Sequence, residues 1–372
     1  MNLTDPIALA QALIRFPTIT PQAAGLPPWL EESLASLGFS AFRRRFGEVE
    51  NLFFTRGAQP TLTFAGHLDV VPPGDDAAWR FPPFSGELAD GCLWGRGAVD
   101  MKGAIAAFIA AAARLPKRPC AILLTFDEEG PAIDGTKPML EALAADGVRL
   151  GRVLVGEPTS TARVGDTIKN GRRGSLNCLL TAQGQQGHVA YPELAANPVP
   201  VLLDALAVLR ARVLDGGAPG FQPSNLEITS VDVGNGVHNV IPARAQAKLN
   251  IRFNTAHLGA DLAAWITQTM QNCSREGISL SADCRVTGEA FFTAPDRFTD
   301  RLIAAVTAQT GFGPTLSTSG GTSDARFIRA YARVLELGLC NGLAHQVDER
   351  VPLADLEVLT AIYGEVLQAG FG

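Results

Sequence analysis

The sequence predicts an α/β fold in which a mixed, mostly parallel sheet lies between helices, with a smaller α+β domain inserted. Strand and helix patterns alternate through 1–173. Residues 120–126 form a continuous apolar run, which is typical of a central strand covered on both faces. At 174–286 the order changes to strand, helix, strand, strand, helix, strand, the ferredoxin-like pattern. We therefore expect one domain formed by 1–173 and 287–372, with 174–286 inserted in it.

The first part of the chain supplies helices and strands in alternation. The Ala-rich segment at 103–115 contains no residue that would break a helix. Gly38 is expected to end the earlier helix at 27–37. We expect helices at 6–15, 27–37 and 103–115, and strands at 51–55, 61–66, 91–94, 120–126 and 152–155.

The insert and the C-terminal part are marked by alternating and amphipathic patterns. In the insert we expect strands at 175–183, 225–233, 243–253 and 278–286 and helices at 198–214 and 259–275. After it we expect helices at 296–310, 323–331 and 353–369 and a strand at 333–339.

Composition excludes several classes of partner. The 372 residues carry a net charge of −6 and no basic run beyond 43–45, which argues against nucleic acid. The longest apolar run, 103–113, is too short to cross a membrane, and the N-terminus predicts a capped helix rather than a signal peptide. The six cysteines show no spacing that predicts a disulfide framework or a cysteine-bound metal, and they fit a reducing cytoplasm.

Acidic and histidine side chains follow the ends of several predicted strands. His67 and Asp69 lie at the end of the strand predicted at 61–66. Because side chains alternate along a strand, these two side chains are expected to point to the same face. We expect the Asp69 carboxylate to accept the second ring N–H of His67, as the outer partner of a metal-bound histidine does. The same set includes Asp100, Glu128, Glu129, Glu157 and His345.

These side chains are expected to converge, because ligands of an open α/β sheet bind at the carboxyl ends of its strands. Several carboxylates in one place repel one another unless cations lie among them. Imidazole and carboxylate ligands suit two Zn²⁺ ions, with Co²⁺ or Mn²⁺ as substitutes. We assign His67 and Glu157 to one metal, Glu129 and His345 to the other, and Asp100, in a glycine-rich turn, as the bridge.

Glu128 is predicted to act as a general base. It stands beside the ligand Glu129 and points the other way if the segment is extended. It can then take a proton from water and pass it to a leaving amine. Two metal ions about 4 Å apart activate water and polarise a carbonyl, so the predicted reaction is amide hydrolysis.

Each motif has a simpler interpretation when it is taken alone. A single His-x-Asp is most often a core histidine near a surface acid, 127–130 a solvated loop, and 157–158 a turn. His345 alone would more often be structural than a ligand. Their common place at one sheet edge, with the right ligand types, favours the metal site.

The chain resembles the co-catalytic dizinc aminoacylase and carboxypeptidase superfamily of amide hydrolases in four segments, 66–72, 95–103, 127–130 and 156–158. The resemblance covers nearly the whole chain and implies a zinc-peptidase-like fold whose inserted domain forms a homodimer. It implies the same ligands, with Asp100 bridging, Glu128 as the base and Asp69 behind His67. It also implies that His188 of the partner subunit helps to hold the tetrahedral oxyanion.

Four further segments, 130–136, 164–175, 187–192 and 319–327, are most similar to one subgroup of this superfamily. That subgroup hydrolyses N-succinyl-LL-2,6-diaminopimelate to succinate and LL-2,6-diaminopimelate, in lysine and diaminopimelate biosynthesis. Hydrolysis of N-acetylornithine or another N-acyl amino acid is the alternative within the same chemistry. A non-catalytic protein that binds an amino acid or a peptide on the same fold is the alternative of a different class.

The substrate of this subgroup carries several carboxylates, so its site needs hydrogen-bond donors. Arg172 and Arg252 are candidates because guanidinium pairs with carboxylate through two hydrogen bonds, although Arg172 could equally lie in a solvated linker. In the turn at 320–323, before a predicted helix, backbone N–H groups such as those of Gly321 and Thr322 could hold the succinyl carboxylate. The resemblance adds Ser175, Tyr191, Asn239 and Asn341.

Overall fold

The structure, a computed structural model, describes residues 1–57 and 59–370. Within this range the chain divides into two compact units. The first contains the residues up to Asn170, Thr293–Ser317 and the chain from Ser323 onward, and the second contains Gly171–Phe292 with Thr318–Thr322. The segment predicted as an insert, 174–286, falls inside the second unit.

The bounds of the helices and strands in the described part of the chain are as follows. The helices are α1 (Pro6–Ile14), α2 (Leu26–Ala35), α3 (Lys102–Arg114), α4 (Thr136–Ala145), α5 (Pro198–Ala211), α6 (Gly259–Cys273), α7 (Arg297–Thr310), α8 (Ala325–Ile328) and α9 (Leu353–Ala369). The strands up to the second unit are β1 (Ser40–Phe46), β2 (Val49–Arg56), β3 (Leu62–His67), β4 (Glu87–Ala89), β5 (Cys92–Trp94), β6 (Cys120–Thr125), β7 (Arg152–Val155) and β8 (Thr167–Lys169). The remaining strands are β9 (Gly171–Arg172), β10 (Gly174–Gln183), β11 (Gly187–His188), β12 (Asn225–Asp232), β13 (Val240–Ile241), β14 (Arg244–Phe253), β15 (Ser279–Gly288), β16 (Phe291–Phe292), β17 (Thr315–Ser317), β18 (Arg333–Glu336) and β19 (Arg350–Pro352).

The first unit is built on an eight-stranded mixed sheet with the order β1-β2-β6-β3-β7-β18-β8-β17. Its centre is parallel, since β3 pairs in parallel with both β6 and β7, and β7 with β18. Antiparallel pairs join β1 to β2, β2 to β6 and β18 to β8. The predicted mixed, mostly parallel α/β sheet is therefore confirmed, and β3, β6 and β7 end side by side.

Helices cover this sheet and bury its central strands. Every residue of β6 is buried, and α3 packs against both α1 and α9. Phe64 of β3 stacks on Phe108 of α3, with ring centroids 4.5 Å apart, and Tyr363 of α9 meets both rings edge-on. A Cβ at Gly66, near the end of β3, would collide with Met101 Cε, so a larger residue there would require the Met101 side chain to move. Among the described residues, no helix combines the length and apolar character needed to span a membrane.

The second unit contains an antiparallel sheet with the order β12-β14-β10-β15. Its elements occur in the predicted order of strand, helix, strand, strand, helix, strand. Alternate residues of β10 and β14 pack with residues of α5 and α6 in a separate hydrophobic core. This core includes Leu180 and Leu249 from the strands and Leu202 and Ile266 from the helices. The unit thus has its own core, as an independent domain requires.

The cysteines correct one expectation. Cys178 and Cys284 form a disulfide, although the spacing of the six cysteines predicted no disulfide framework. They are directly opposite each other on β10 and β15 but 106 residues apart in the sequence. Only the register of the two strands brings them together, so their spacing along the chain carries no signal.

Several elements depart from the sequence-based expectations, since the strands β4, β8, β9, β11, β13, β16, β17 and β19 were not predicted, and neither was β1. Strand β1 was not predicted, because Arg43, Arg44 and Arg45 occupy its middle and leave no alternating apolar pattern. It is an edge strand of the large sheet, where charged side chains are common. The helix predicted at 323–331 is limited to α8, since the chain beyond it forms turns, such as the Tyr331 N–H bond to the Ile328 carbonyl.

Candidate metal centre

Three adjacent strands carry three of the predicted ligands. His67 is the last residue of β3, Glu129 follows the end of β6, and Glu157 lies two residues beyond the end of β7. Asp100 lies in the turn before α3, and His345 lies in the loop before β19. All five belong to the first unit, so their relative placement depends on one compact core.

The first group of ligands consists of His67, Asp100 and Glu157. His67 Nε2 is 3.0 Å from Asp100 Oδ1 and 3.8 Å from Glu157 Oε1. All three residues are buried. Nitrogen and oxygen atoms this close can share one small cation.

The second group consists of Asp100, Glu129 and His345. His345 Nε2 is 2.8 Å from Glu129 Oε1 and 3.2 Å from Asp100 Oδ2. The His345 side chain is half exposed, so this group lies at the open side of the site. His345 also has a backbone φ of 64°, a left-handed conformation that few non-glycine residues adopt.

The donor set fits a pair of divalent metal ions. In each group the ligand atoms lie within 4.8 Å of one another, and Asp100 belongs to both groups through a different oxygen. Imidazole nitrogens with carboxylate oxygens are the ligands that Zn²⁺ and related divalent ions use in proteins. His67 Nδ1 lies 2.8 Å from the Asp69 carbonyl oxygen, so its N–H is donated there and the lone pair of Nε2 faces the other ligands.

The electrostatics of the site favour positive charge. Hydrogen bonds to Asp100 and then Glu129 raise the pKa of His345 to about 10. Burial alone would lower the pKa of His67, but Asp100, Glu157 and Asp69 together raise it well above its usual value. These shifts show that the carboxylates stabilise positive charge at this edge of the sheet, the property that a metal site needs.

Asp69 differs from its predicted role in one respect. Its carboxylate Oδ1 is 3.8 Å from His67 Nδ1, and the main-chain carbonyl of Asp69 accepts the histidine N–H instead. The carboxylate accepts the N–H groups of Glu128 and Glu129, at 3.3 and 3.0 Å, and the hydroxyl of Thr20, at 2.7 Å. Asp69 therefore orients His67 through its backbone and the Glu128–Glu129 segment through its side chain.

Glu128 is partly buried and carries a perturbed carboxyl group. Burial, followed by the charges of Glu157 and Asp324, raises its pKa well above the usual range. A general base that later acts as an acid must hold the proton between the two steps. A carboxyl group with a raised pKa can hold that proton at neutral pH. The predicted assignment of Glu128 as a base is consistent with this position.

Thr20, Arg96 and Glu349 support the site but were not predicted. Thr20 contacts Asp69 from a position 49 residues earlier in the chain, and Arg96 pairs with Glu349 from 253 residues away. Contacts between segments so far apart leave no local pattern. The only available signals are the position of Arg96 in the same turn as Asp100 and that of Glu349 four residues after His345.

Comparison with known proteins assigns the family. The sequence model described as peptidase family M20/M25/M40 matches residues 63–369. The chain belongs to this family. This M20-family chain is 56% identical over 372 residues to a succinyl-diaminopimelate desuccinylase from Caulobacter vibrioides, covering 99% of this chain and 96% of the relative. It is 57% identical over 377 residues to a protein of the same name from Maricaulis maris, covering 100% of this chain and 97% of the relative.

Solved structures show the same fold at low sequence identity. The M20-family metallo-carboxypeptidase Sso-CP2 from Sulfolobus solfataricus superposes with a TM-score of 0.79 at 18% identity, covering 98% of each chain. A dinuclear metal-binding M20 peptidase from Bacillus subtilis superposes with a TM-score of 0.69 at 16% identity, covering 97% of this chain and 96% of that one. The M20 family and the observed sheet together confirm the predicted zinc-peptidase-like fold class.

Two pairs of predicted substrate-binding residues lie together in the second unit of the M20-family chain. Arg172 is buried, and its Nη1 donates to the Gly321 carbonyl oxygen at 3.0 Å. Ser175 on β10 is directly opposite Arg252 on β14. Burial, followed by the charge of neighbouring Arg173, lowers the pKa of Arg252.

His188, Tyr191 and Asn239 also form a local group in the second unit. His188 on β11 pairs with Val240 on β13, and the Asn239 carbonyl accepts the N–H of Val189 at 3.1 Å. The rings of His188 and Tyr191 lie 5.6 Å apart, and all three predicted residues are exposed.

The other two predicted residues are placed separately. Thr322 belongs to the second unit. Asn341 is exposed in the first unit, where its N–H donates to the Ser160 carbonyl at 2.9 Å.

Proposed function

We propose that this M20-family chain is a metal-dependent amidohydrolase that converts N-succinyl-LL-2,6-diaminopimelate and water to succinate and LL-2,6-diaminopimelate. It is a succinyl-diaminopimelate desuccinylase of lysine and diaminopimelate biosynthesis. The observation that carries the proposal is an identity of 50–57% to proteins of this name along essentially the whole chain. A cluster of metal-ligating side chains around a partly buried glutamate supports the chemistry.

We propose that the cofactor is a pair of Zn²⁺ ions in each subunit, with Co²⁺ or Mn²⁺ as substitutes. His67, Asp100 and Glu157 would hold one ion, and Asp100, Glu129 and His345 the other. The two oxygens of Asp100, each near a different histidine, support a bridging role. When bound, such ions lower the pKa of water and polarise the substrate carbonyl.

The protein's own residues supply the proton transfers and the alignment. We assign Glu128 as the group that takes a proton from the attacking water and delivers it to the amine that leaves. Asp69 keeps Glu128 in place by accepting its backbone N–H. Because Asp69 also accepts the N–H of Glu129 and orients His67, one buried residue aligns the base and two metal ligands.

Arg252 is proposed to bind a carboxylate of the substrate. Its burial and the adjacent charge of Arg173 make its guanidinium costly to leave without an anion. We propose the same role for Arg172, and weaker contacts from Ser175, Tyr191, Asn239, Gly321, Thr322 and Asn341.

Replacing Arg252 with Gln is expected to raise KM for the succinyl substrate about 10- to 100-fold and to change kcat little. A charge-assisted hydrogen bond contributes about 1.5–3 kcal/mol, which corresponds to that range. Steady-state kinetics of Arg252→Gln measure it, with Arg244→Gln, an exposed arginine on the same strand, as the matched control. Equal KM values for both variants would remove Arg252 from the substrate site.

We propose that the enzyme is a homodimer through its second unit, and that His188 of the partner subunit helps to stabilise the oxyanion. Leu203 and Val208 on α5, and Val213 just after it, are apolar side chains that are 51%, 53% and 84% exposed and that a second copy could cover. Sedimentation velocity together with activity tests this, and a fully active monomer would contradict it. We also propose that the reaction takes place in the cytoplasm.

A direct assay tests the proposed reaction. Purified, zinc-loaded enzyme is expected to hydrolyse N-succinyl-LL-2,6-diaminopimelate with a much higher kcat/KM than N-acetylornithine. A preference for N-acetylornithine would overturn the substrate assignment but leave the amidohydrolase chemistry intact. Metal binding without hydrolysis of either compound, or of other N-acyl amino acids, would favour a binding protein instead.

A further inference from the structure

A buried ion pair connects the two loops that carry Asp100 and His345. Arg96 lies in the turn before α3, and Glu349 lies four residues after His345. Arg96 Nη1 is 2.8 Å from Glu349 Oε2, and the two side chains are 2% and 1% exposed. Two charges removed so completely from water need close and complete pairing to be tolerated.

The Glu349 carboxylate binds the backbone of the Asp100 turn. Its Oε1 accepts the N–H groups of Val99 and Asp100 at 2.8 and 3.1 Å. Its Oε2 accepts the N–H of Gly97 at 3.0 Å in addition to the guanidinium of Arg96. Gly97 has a φ of 86°, and a Cβ there would lie 2.8 Å from a Val70 methyl, so this turn depends on glycine.

Arg96 holds the other loop in the same way. Its Nη1 donates to the Gln346 carbonyl at 3.1 Å, and its Nη2 donates to the His345 carbonyl at 3.3 Å. The guanidinium also makes a cation–π contact with the Trp79 ring, 5.2 Å from the ring centre. Each loop is therefore bound through its backbone, and a ligand side chain is left free to face the other ligands.

We propose that Arg96 and Glu349 are positioning residues that fix the distance between the two ligand groups, by locking the Asp100 turn to the His345 loop. This inference rests on the metal site in the proposed function, and it concerns how that site is held rather than which substrate it serves. Asp100 is the residue common to both groups, so a shift of its backbone would disturb both metals at once. Glu349 binds that backbone directly, through the N–H of Asp100 itself.

Glu349→Gln is the variant that tests the proposal. A neutral amide at this position leaves Arg96 without its countercharge and places an NH₂ group against backbone N–H donors. We expect the Kd for Zn²⁺, measured by competition with a chelator on the full-length protein, to rise about 10- to 100-fold, as for other residues that orient metal ligands. We also expect an altered visible spectrum with Co²⁺, and faster amide hydrogen exchange at 97–100 in the metal-free protein.

Two controls separate positioning from loss of stability. Asp204→Asn makes the same acid-to-amide change in an exposed ion pair with Arg275 and should leave all three measurements unchanged. Leu359→Ala truncates a core residue of α9 and should lower the melting temperature without changing the Kd for Zn²⁺. If Glu349→Gln does not fold, Arg96→Lys tests the same point, because it keeps the charge and loses the planar contacts to His345 and Gln346.

One result would overturn the proposal. In Glu349→Gln or Arg96→Lys, the Kd for Zn²⁺ would stay within about twofold of the original value while the melting temperature fell as in Leu359→Ala. The ion pair would then stabilise the fold without positioning the metal ligands. The desuccinylase assignment fails in a different way. If the unmodified enzyme does not hydrolyse the succinyl substrate while Glu349→Gln still weakens Zn²⁺ binding, the positioning role stands and the substrate assignment falls.

Discussion

Replacing Glu128 with Gln is expected to lower kcat about 10³-fold while KM and the metal content stay nearly unchanged. General acid–base catalysis by a positioned side chain contributes about 10²–10⁴-fold, and Glu128 is proposed to serve both as base and as acid. The Gln side chain has nearly the same shape and cannot carry the proton. The backbone N–H of residue 128 can still bind Asp69, so the segment that bears Glu129 should keep its place.

Steady-state kinetics and metal analysis of the same preparation measure this effect. Glu141→Gln, which changes an exposed glutamate on α4, is the matched control and should retain full activity. A Glu128→Gln enzyme that keeps kcat within about tenfold of the original would assign the proton transfer to another group. A large loss of bound metal would instead indicate that Glu128 acts on the ligands, and the kinetic result would then not identify a base.

The sequence allowed the convergence of these side chains to be predicted, because the topology of the sheet determines where they lie. His67 ends one apolar strand, and Glu129 and Glu157 follow two others. Apolar strands of this kind are typical of the centre of a parallel sheet. In the structure these strands, β3, β6 and β7, are neighbours. Side chains just past neighbouring parallel strands reach the same sheet edge, so element type and chain order together were sufficient to expect one site.

The supporting contacts could not be predicted, because they depend on how loops pack. Whether the carbonyl or the carboxylate of Asp69 accepts the His67 N–H depends on the path of the chain after β3, which alternation along a strand does not describe. The Arg96–Glu349 pair joins positions 253 residues apart, and both side chains would ordinarily be expected at the surface. The Cys178–Cys284 bond likewise depends on strand register.

Replacing Asp100 with Asn is expected to lower the metal content of the enzyme by at least one of two equivalents and to lower kcat/KM about 10³-fold or more. Asp100 Oδ1 faces His67 and Oδ2 faces His345, so a single amide removes a charge from both ligand groups. Burial alone would raise the pKa of Asp100, but its hydrogen bonds to His345 and His67 lower it below the usual range. Activation of water and carbonyl by metal ions contributes several kcal/mol, and about 4 kcal/mol corresponds to 10³-fold.

Comparison with single-group variants shows whether Asp100 bridges. Glu157→Gln and Glu129→Gln each alter one group, so each should weaken one metal equivalent and leave the other near its original affinity, as measured by stepwise Zn²⁺ titration. Asp100→Asn should weaken both equivalents, because the two groups have only this residue in common. If Asp100→Asn weakened only one equivalent, the two ions would be held independently.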